Sequence, residues 1–108
     1  MIYTEEIDKI KKQIMEKFKP VDIFLFGSYA KGLITKKSDI DICVIMDIKK
    51  EEKREMARRI LIEVECESDL DVVVYTLEEW EKYKDDPSTF ANLIKRTGVS
   101  IIDRYDKV

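Results

Sequence analysis

The chain has 108 residues, of which 44% are hydrophobic and 40% charged, with a net charge of −3 and no histidine. This length predicts a single domain over residues 1–108 with its own hydrophobic core. The missing histidine excludes serine–histidine–aspartate triads, histidine acid–base catalysis and most zinc sites, and the acidic balance argues against a broad basic surface for nucleic acid.

The first half of the chain predicts two helices and two strands. Helical spacing predicts an amphipathic helix over Thr4–Lys19, capped at Thr4 and ended by Pro20, whose apolar face comprises Ile7, Ile10, Ile14 and Phe18. An apolar run predicts a mostly buried strand over Val21–Phe26. Gly27 then opens a tight turn into a short helix in GSYAKG, and Ile40–Met46 forms the second strand.

The second half predicts three helices and two strands, which are a helix over Lys49–Glu63, a strand over Leu70–Tyr75, a helix in TLEEWEKY, a helix from Pro87–Ser88 to Arg96 and a short strand over Val99–Ile102. Thr76 and Glu79 form a capping-box pattern, and Gly98 is a C-cap residue. The element order predicts an α/β (α+β) fold, in which helices cover a small mixed sheet of three to four strands. Strand order and the relative direction of the first two strands are left open.

Cysteine usage and the N-terminus favour a reducing cytoplasm. Cys43 and Cys66 have no metal-binding spacing, and Cys43 lies in an apolar run, where a buried free thiol is expected. The N-terminal residues lack the apolar stretch of a signal peptide, and no segment approaches the length of a membrane span.

Two aspartates open the second predicted strand. Because strand side chains alternate between faces, Asp39 and Asp41 point the same way and their isoleucine neighbours point the other way. Carboxylates about 6–7 Å apart on one face repel each other unless a cation lies between them. Hard oxygen ligands of this kind suit Mg²⁺ or Mn²⁺. The alternative is that Asp39 ends a loop and Asp41 faces solvent.

A glycine turn and a third acidic segment add to this pair. Gly27 permits close approach of the backbone to a ligand, and Ser28 offers a hydroxyl and an N–H to a phosphate, although an ordinary strand-to-helix turn has the same residues. Asp69 and Asp71 open the third strand. Either could complete a two-metal site if that strand neighbours the second, and either could be a solvated strand-edge residue.

These residues together resemble a known family. Gly27-Ser28, ten further residues and then Asp39-Ile40-Asp41 resemble the G-S-x(about ten)-D-x-D signature of the DNA polymerase β-like nucleotidyltransferase superfamily. The segments FGSYAKG, SDIDICVI and LDVVVYT are similar to those of minimal nucleotidyltransferase (MNT) domains. The resemblance covers nearly the whole chain and implies a nucleotidyltransferase-like fold.

The resemblance also implies roles for individual residues. Gly27 and Ser28 would hold the triphosphate of ATP, and two Mg²⁺ ions would be bound by three carboxylates, those of Asp39, Asp41 and Asp71. Asp71 could in addition accept the proton of the acceptor. Lys31 stands where family members often have arginine, which keeps the charge but loses bidentate phosphate binding.

Small MNT proteins are commonly paired with a helical HEPN partner, as the antitoxin of a toxin–antitoxin system, and attach AMP to it. The resemblance therefore implies transfer of AMP from ATP to a hydroxyl of a HEPN-type toxin, within a homo- or hetero-oligomer. A non-catalytic module that neutralises its partner by contact and a small-molecule nucleotidyltransferase are the alternatives. Trp80, Tyr83 and Phe90 are candidate docking residues, although core positions are favoured for Trp80 and Phe90.

Overall fold

Helices and strands follow one another along the described chain in the order that the apolar spacing predicts. The computed structural model describes residues 5–27 and 39–102. Its elements are α1 (Glu5–Phe18), β1 (Asp22–Phe26), β2 (Ile40–Met46), α2 (Lys53–Glu63), β3 (Leu70–Thr76), α3 (Leu77–Tyr83), α4 (Phe90–Thr97) and β4 (Val99–Ser100). The predicted mixed α/β fold is confirmed. No helix within these ranges is both long and apolar enough to cross a membrane.

The strand order, which the sequence left open, is β3-β2-β1-β4. β1 runs antiparallel to both β2 and β4, whereas β2 and β3 are parallel. Parallel neighbours need a crossover connection, and α2 supplies it here. This arrangement brings the end of β1 and the starts of β2 and β3 to the same edge of the sheet.

Among the described elements, two helices pack on each face of the sheet. The α1–α2 face is packed by Ile7, Ile10, Ile14, Phe18 and Ile60, which cover Ile23, Leu25, Ile40, Ile42, Val44 and Met46. The α3–α4 face is packed by Trp80, Ala91 and Ile94, which cover Cys43 and Ile45. Full burial of one such aliphatic side chain contributes roughly 1.5–3 kcal/mol. Cys43 is a buried free thiol, as predicted, and burial, followed by the charge of Asp22, raises its pKa.

The first helix ends as its sequence predicts. Its last residue is Phe18, and Lys19 adopts the left-handed conformation with a φ of 50°. The Lys19 N–H donates to the Ile14 carbonyl at 3.3 Å, which closes the last turn. Pro20 cannot continue a helix. Thr4, the predicted N-cap, lies outside the described residues.

The last helix starts later than predicted, at Phe90 instead of at Pro87–Ser88. The Ser88 hydroxyl and backbone N–H both donate to Asp86 Oδ1, at 2.7 and 3.0 Å, and hold this segment in a turn. Thr89 is therefore the N-cap, and its side chain accepts a hydrogen bond from the Asn92 N–H at 3.2 Å.

Gly98 ends α4 as predicted, but in an extended and not a left-handed conformation. A Cβ atom at this position would lie 2.6 Å from the Ile94 carbonyl oxygen and 2.9 Å from that of Leu25. Glycine is therefore required because the chain passes close to β1 at this point. β4 ends at Ser100, two residues earlier than predicted, and the Ser100 hydroxyl donates to Asp22 Oδ1 at 2.8 Å.

Candidate active site

Three strands contribute residues to one edge of the sheet. Phe26, the last residue of β1, is registered with Asp41 of β2, which in turn is registered with Asp71 of β3. Paired residues of neighbouring strands point to the same face, so all three side chains lie on the α3–α4 face. Cys43, two residues along β2, is fully buried on this face, whereas Asp41 is half-buried and Asp71 is exposed. The helical cover of this face therefore ends beside the two carboxyl groups.

The carboxyl groups of Asp41 and Asp71 are neighbours on this face, because the two residues are paired in register across β2 and β3. Burial raises the pKa of Asp41, and the negative charge of Asp71, a hydrogen bond with Asp71 and the charge of Asp39 act in the same direction. All of these effects disfavour the charged form of Asp41.

Asp39 and Asp69, the other two aspartates considered as metal ligands, differ in their effect on Asp41. Asp39 is exposed and directly precedes β2, from where its charge reaches Asp41. Asp69 is exposed and precedes β3; its carbonyl accepts the Ile40 N–H at 2.8 Å, and its side chain is not among the groups that act on Asp41. The register therefore brings Asp71, and not Asp69, to Asp41.

The carboxylates of this site suit a magnesium ion better than a metal whose ligands all come from the protein. Within residues 5–27 and 39–102, no three carboxylate or thiol side chains converge closely enough to enclose an ion. Asp41 and Asp71 instead supply two adjacent hard oxygen donors, with Asp39 close enough to act electrostatically. Mg²⁺ is commonly bound by one or two carboxylates together with waters and substrate phosphates, which matches this incomplete set of ligands.

Gly27 places the backbone directly against the carboxyl pair. It follows β1 with a φ of 76°, in the left-handed region that favours glycine. A Cβ atom there would lie 2.3 Å from Asp41 Oδ2, a distance that no side chain could tolerate without movement of Asp41. Ser28 and Lys31, predicted to contact the triphosphate, lie outside the described residues, as does the short helix predicted after Gly27.

An aromatic pair adjoins the carboxyl groups, and sequence reasoning missed it. The rings of Phe26 and Phe90 meet edge to face with their centroids 5.8 Å apart. Phe90, for which the sequence favours a core position, is 47% exposed, whereas Trp80 is buried as predicted and Tyr83 is exposed. The sequence contained part of the information needed to find this pair. Side chains alternate between the two faces along β1 and β2, which places Phe26 on the same face as Asp41 once the strands are paired.

Comparison with known proteins assigns the family. Residues 7–99 match the model of the nucleotidyltransferase domain, and the chain belongs to this family. A segment of 43 residues is 51% identical to a Methanocaldococcus jannaschii protein that is provisionally named a protein adenylyltransferase. This match covers 40% of the chain and 43% of that relative, so it spans less than half of the relative's length.

A solved structure shares most of the fold. The chain resembles one from a crystal structure of a toxin–antitoxin with AMP-PNP, with a TM-score of 0.55 and 26% sequence identity. The similarity covers 90% of this chain and 72% of the solved one. The resemblance to minimal nucleotidyltransferases, predicted from the glycine-serine and aspartate motifs, is confirmed by these matches.

Proposed function

We propose that this protein transfers AMP from ATP to a hydroxyl group of a partner protein, in a reaction that depends on divalent metal. The partner is the toxin of a toxin–antitoxin pair, of the helical HEPN type, and the transfer makes this chain the antitoxin. The observation that carries the proposal is the pairing of Asp41 with Asp71 beside the Gly27 turn. The name of the archaeal relative and the AMP-PNP in the similar toxin–antitoxin structure support it.

The acidic residues would hold the metal. Asp41 and Asp71 offer adjacent carboxylate oxygens for two Mg²⁺ ions, or Mn²⁺ in their place, and Asp39 adds a third carboxylate from the exposed start of β2. When bound, the ions neutralise the clustered carboxylates and phosphates and polarise the phosphoryl oxygens. Gly27 keeps side-chain atoms away from Asp41 and leaves the backbone free to approach the triphosphate, with Ser28 and Lys31 proposed as further contacts.

The two central carboxylates differ in exposure, and this suits different tasks. Asp41 is half-buried between neighbouring strands, which holds its oxygens in place, whereas Asp71 is exposed to an acceptor that approaches from solvent. The acceptor hydroxyl oxygen forms a bond to the α-phosphorus of ATP. The bond from that phosphorus to the oxygen bridging to the β-phosphate breaks, and pyrophosphate leaves. The hydroxyl proton passes to a carboxylate oxygen of Asp71.

Intact-mass spectrometry tests this proposal directly. The protein is co-purified with the product of the neighbouring gene and incubated with ATP and Mg²⁺. We expect the partner to gain mass in AMP-sized steps, and we expect no gain with Asp71→Asn or without the metal. Asp69→Asn is the matched control, because it removes an equivalent exposed carboxylate that does not act on Asp41, and it should retain transfer.

Two other outcomes would contradict transfer to a protein. A stable complex whose partner keeps its mass would show that the chain neutralises its partner by contact alone. Separate elution of the two proteins, with no change in mass, would instead direct the search to a small-molecule acceptor.

A further inference from the structure

An aromatic surface lies directly beside the acidic pair. It consists of the Phe26 and Phe90 rings, called here the aromatic shelf, which meet edge to face at 5.8 Å. Phe26 is the registered neighbour of Asp41, so its side chain shares the α3–α4 face with the carboxylates. Phe90, at the start of α4, is therefore only one side chain further from Asp41.

The exposure of Phe90 distinguishes it from the other aromatic residues on this face. Trp80 is 6% exposed and packs against the rings of Phe24 and Tyr75, with centroids at 5.1 and 5.8 Å. Phe90 is 47% exposed, although it begins a helix whose Ala91 and Ile94 are buried. In an edge-to-face pair one ring meets the other by its edge, so Phe90 keeps apolar ring surface available for a ligand.

We propose that the aromatic shelf binds the base of the nucleotide, which stacks on the Phe90 ring while the phosphates lie at Asp41 and Asp71. This inference rests on the proposed function, since it extends the same site. A nucleotide joins a charged phosphate chain to a planar aromatic base, and the structure offers acidic metal ligands and an exposed aromatic ring in the same order along one face. Base–aromatic stacking is tolerant of the base identity, so the shelf favours a nucleoside without strong selection among bases.

A protein partner is a weaker occupant for this surface. Stable protein interfaces bury about 800 Å² on each partner, whereas the exposed large apolar side chains of α3 and α4 are limited to Tyr83, Phe90 and Leu93. Two other exposed apolar residues of the described chain, Leu61 and Ile62, lie on α2 and thus belong to the opposite side of the sheet. They cannot extend the shelf into one continuous interface.

Calorimetry with two ligands isolates the contribution of the base. Binding of ATP and of inorganic tripolyphosphate is measured in Mg²⁺ for the wild type, Phe90→Ala and Phe90→Tyr. We expect Phe90→Ala to weaken ATP binding on the order of tenfold and to leave tripolyphosphate binding unchanged. Phe90→Tyr should bind ATP as tightly as the wild type does, because tyrosine keeps the aromatic ring. Leu93→Ala, at a neighbouring exposed apolar position on the same helix, should change neither affinity.

The possible failures are distinguishable. A wild type that binds neither ligand in Mg²⁺ would overturn the proposed function and this inference with it. A wild type that binds ATP no more tightly than tripolyphosphate would overturn the shelf alone. Phe90→Leu keeps the apolar volume, so an ATP affinity equal to that of the wild type would show that no ring is needed and would also overturn it. Loss of partner binding in Phe90→Ala, with unchanged ATP binding, would assign the surface to the partner protein.

Discussion

Gly27 and Asp41 are in direct contact across the first two strands, because a Cβ atom on Gly27 would fall 2.3 Å from Asp41 Oδ2. The same glycine has a φ of 76°, so both its backbone conformation and its neighbour exclude a side chain. The close fit packs the end of β1 against the carboxylate of Asp41, which is paired in register with Asp71. The glycine turn and the acidic pair are therefore parts of one site.

Gly27→Ala should destabilise the protein and abolish nucleotide transfer. The left-handed backbone alone costs roughly 1–2 kcal/mol for a residue with a Cβ, and the clash with Asp41 adds to this. In a urea unfolding experiment, Gly27→Ala combined with Asp41→Ala should be more stable than the sum of the single effects predicts, because the second change removes the clash. Strictly additive effects would show that the added methyl group does not press on Asp41.

Much of the fold follows from local patterns in the sequence. Helical spacing and the proline after the helix predicted the C-terminal end of α1 to within a residue, and the capping box of Thr76 and Glu79 predicted the start of α3. The predicted start of α4 was wrong because the Ser88 N–H and hydroxyl donate to Asp86, which holds this segment in a turn and not in a helix. Strand order and direction were left open because pairing depends on contacts distant in sequence.

The candidate site was predicted only in part, for the same reason. Alternation along one strand shows that Asp39 and Asp41 share a face, but the choice between Asp69 and Asp71 requires the register of β2 against β3. Whether a side chain near the end of a helix is covered depends on where the sheet beneath it ends, so the exposure of Phe90 had no local signal. The assignment of metal ligands stays a prediction.

Asp41→Asn should abolish transfer without destabilising the metal-free protein. The substitution removes one of several neighbouring negative charges, and every described charge acting on Asp41 opposes its ionisation. We therefore expect an unchanged or raised melting temperature without metal, and a smaller increase on addition of Mg²⁺ and ATP than the wild type shows.

Asp47→Asn is the control for this experiment, since Asp47 is exposed just beyond the opposite end of β2. It should change the free energy of unfolding by no more than about 0.5 kcal/mol and keep the full response to metal. A marked loss of stability in metal-free Asp41→Asn would identify Asp41 as a structural residue.

Asp71→Ala should be far more damaging than Asp69→Ala. The two residues flank Leu70, yet only Asp71 is registered with Asp41, and its charge, unlike that of Asp69, acts on the Asp41 carboxyl group. In assays of AMP transfer and of Mg²⁺-dependent ATP binding, we expect Asp71→Ala to lose both activities and Asp69→Ala to keep them. Greater damage from Asp69→Ala would mean that the third ligand comes from the residue before β3.

The last prediction concerns a contact outside the site, between α2 and α3. Lys53 Nζ donates to Glu79 Oε1 and Oε2 at 2.9 and 3.0 Å, and Glu79 Oε1 also accepts the Thr76 N–H at 3.2 Å. Burial acts to raise the pKa of Glu79, but the bonds from Lys53 and Thr76 outweigh it, so the pKa is lowered from 4.5. The stability contributed by a carboxylate with a lowered pKa is present above the unfolded-state pKa and is lost as the pH falls through the folded-state value.

Glu79→Gln tests this contact because glutamine retains an oxygen for the Thr76 N–H but loses the ion pair with Lys53. Glu78→Gln is the matched control, since Glu78 is exposed in the same first turn and shares the interaction with the helix dipole. At pH 7 we expect Glu79→Gln to unfold at lower urea concentration than Glu78→Gln, by about 0.5–1 kcal/mol in the free energy of unfolding. The free energies of unfolding of the two variants should converge as the pH is lowered from 4.5. Glu79 in the Glu78→Gln control then becomes protonated and loses its ion pair with Lys53. A difference that persists unchanged at low pH would show that glutamine disturbs packing or capping, and that the charge of Glu79 contributes nothing.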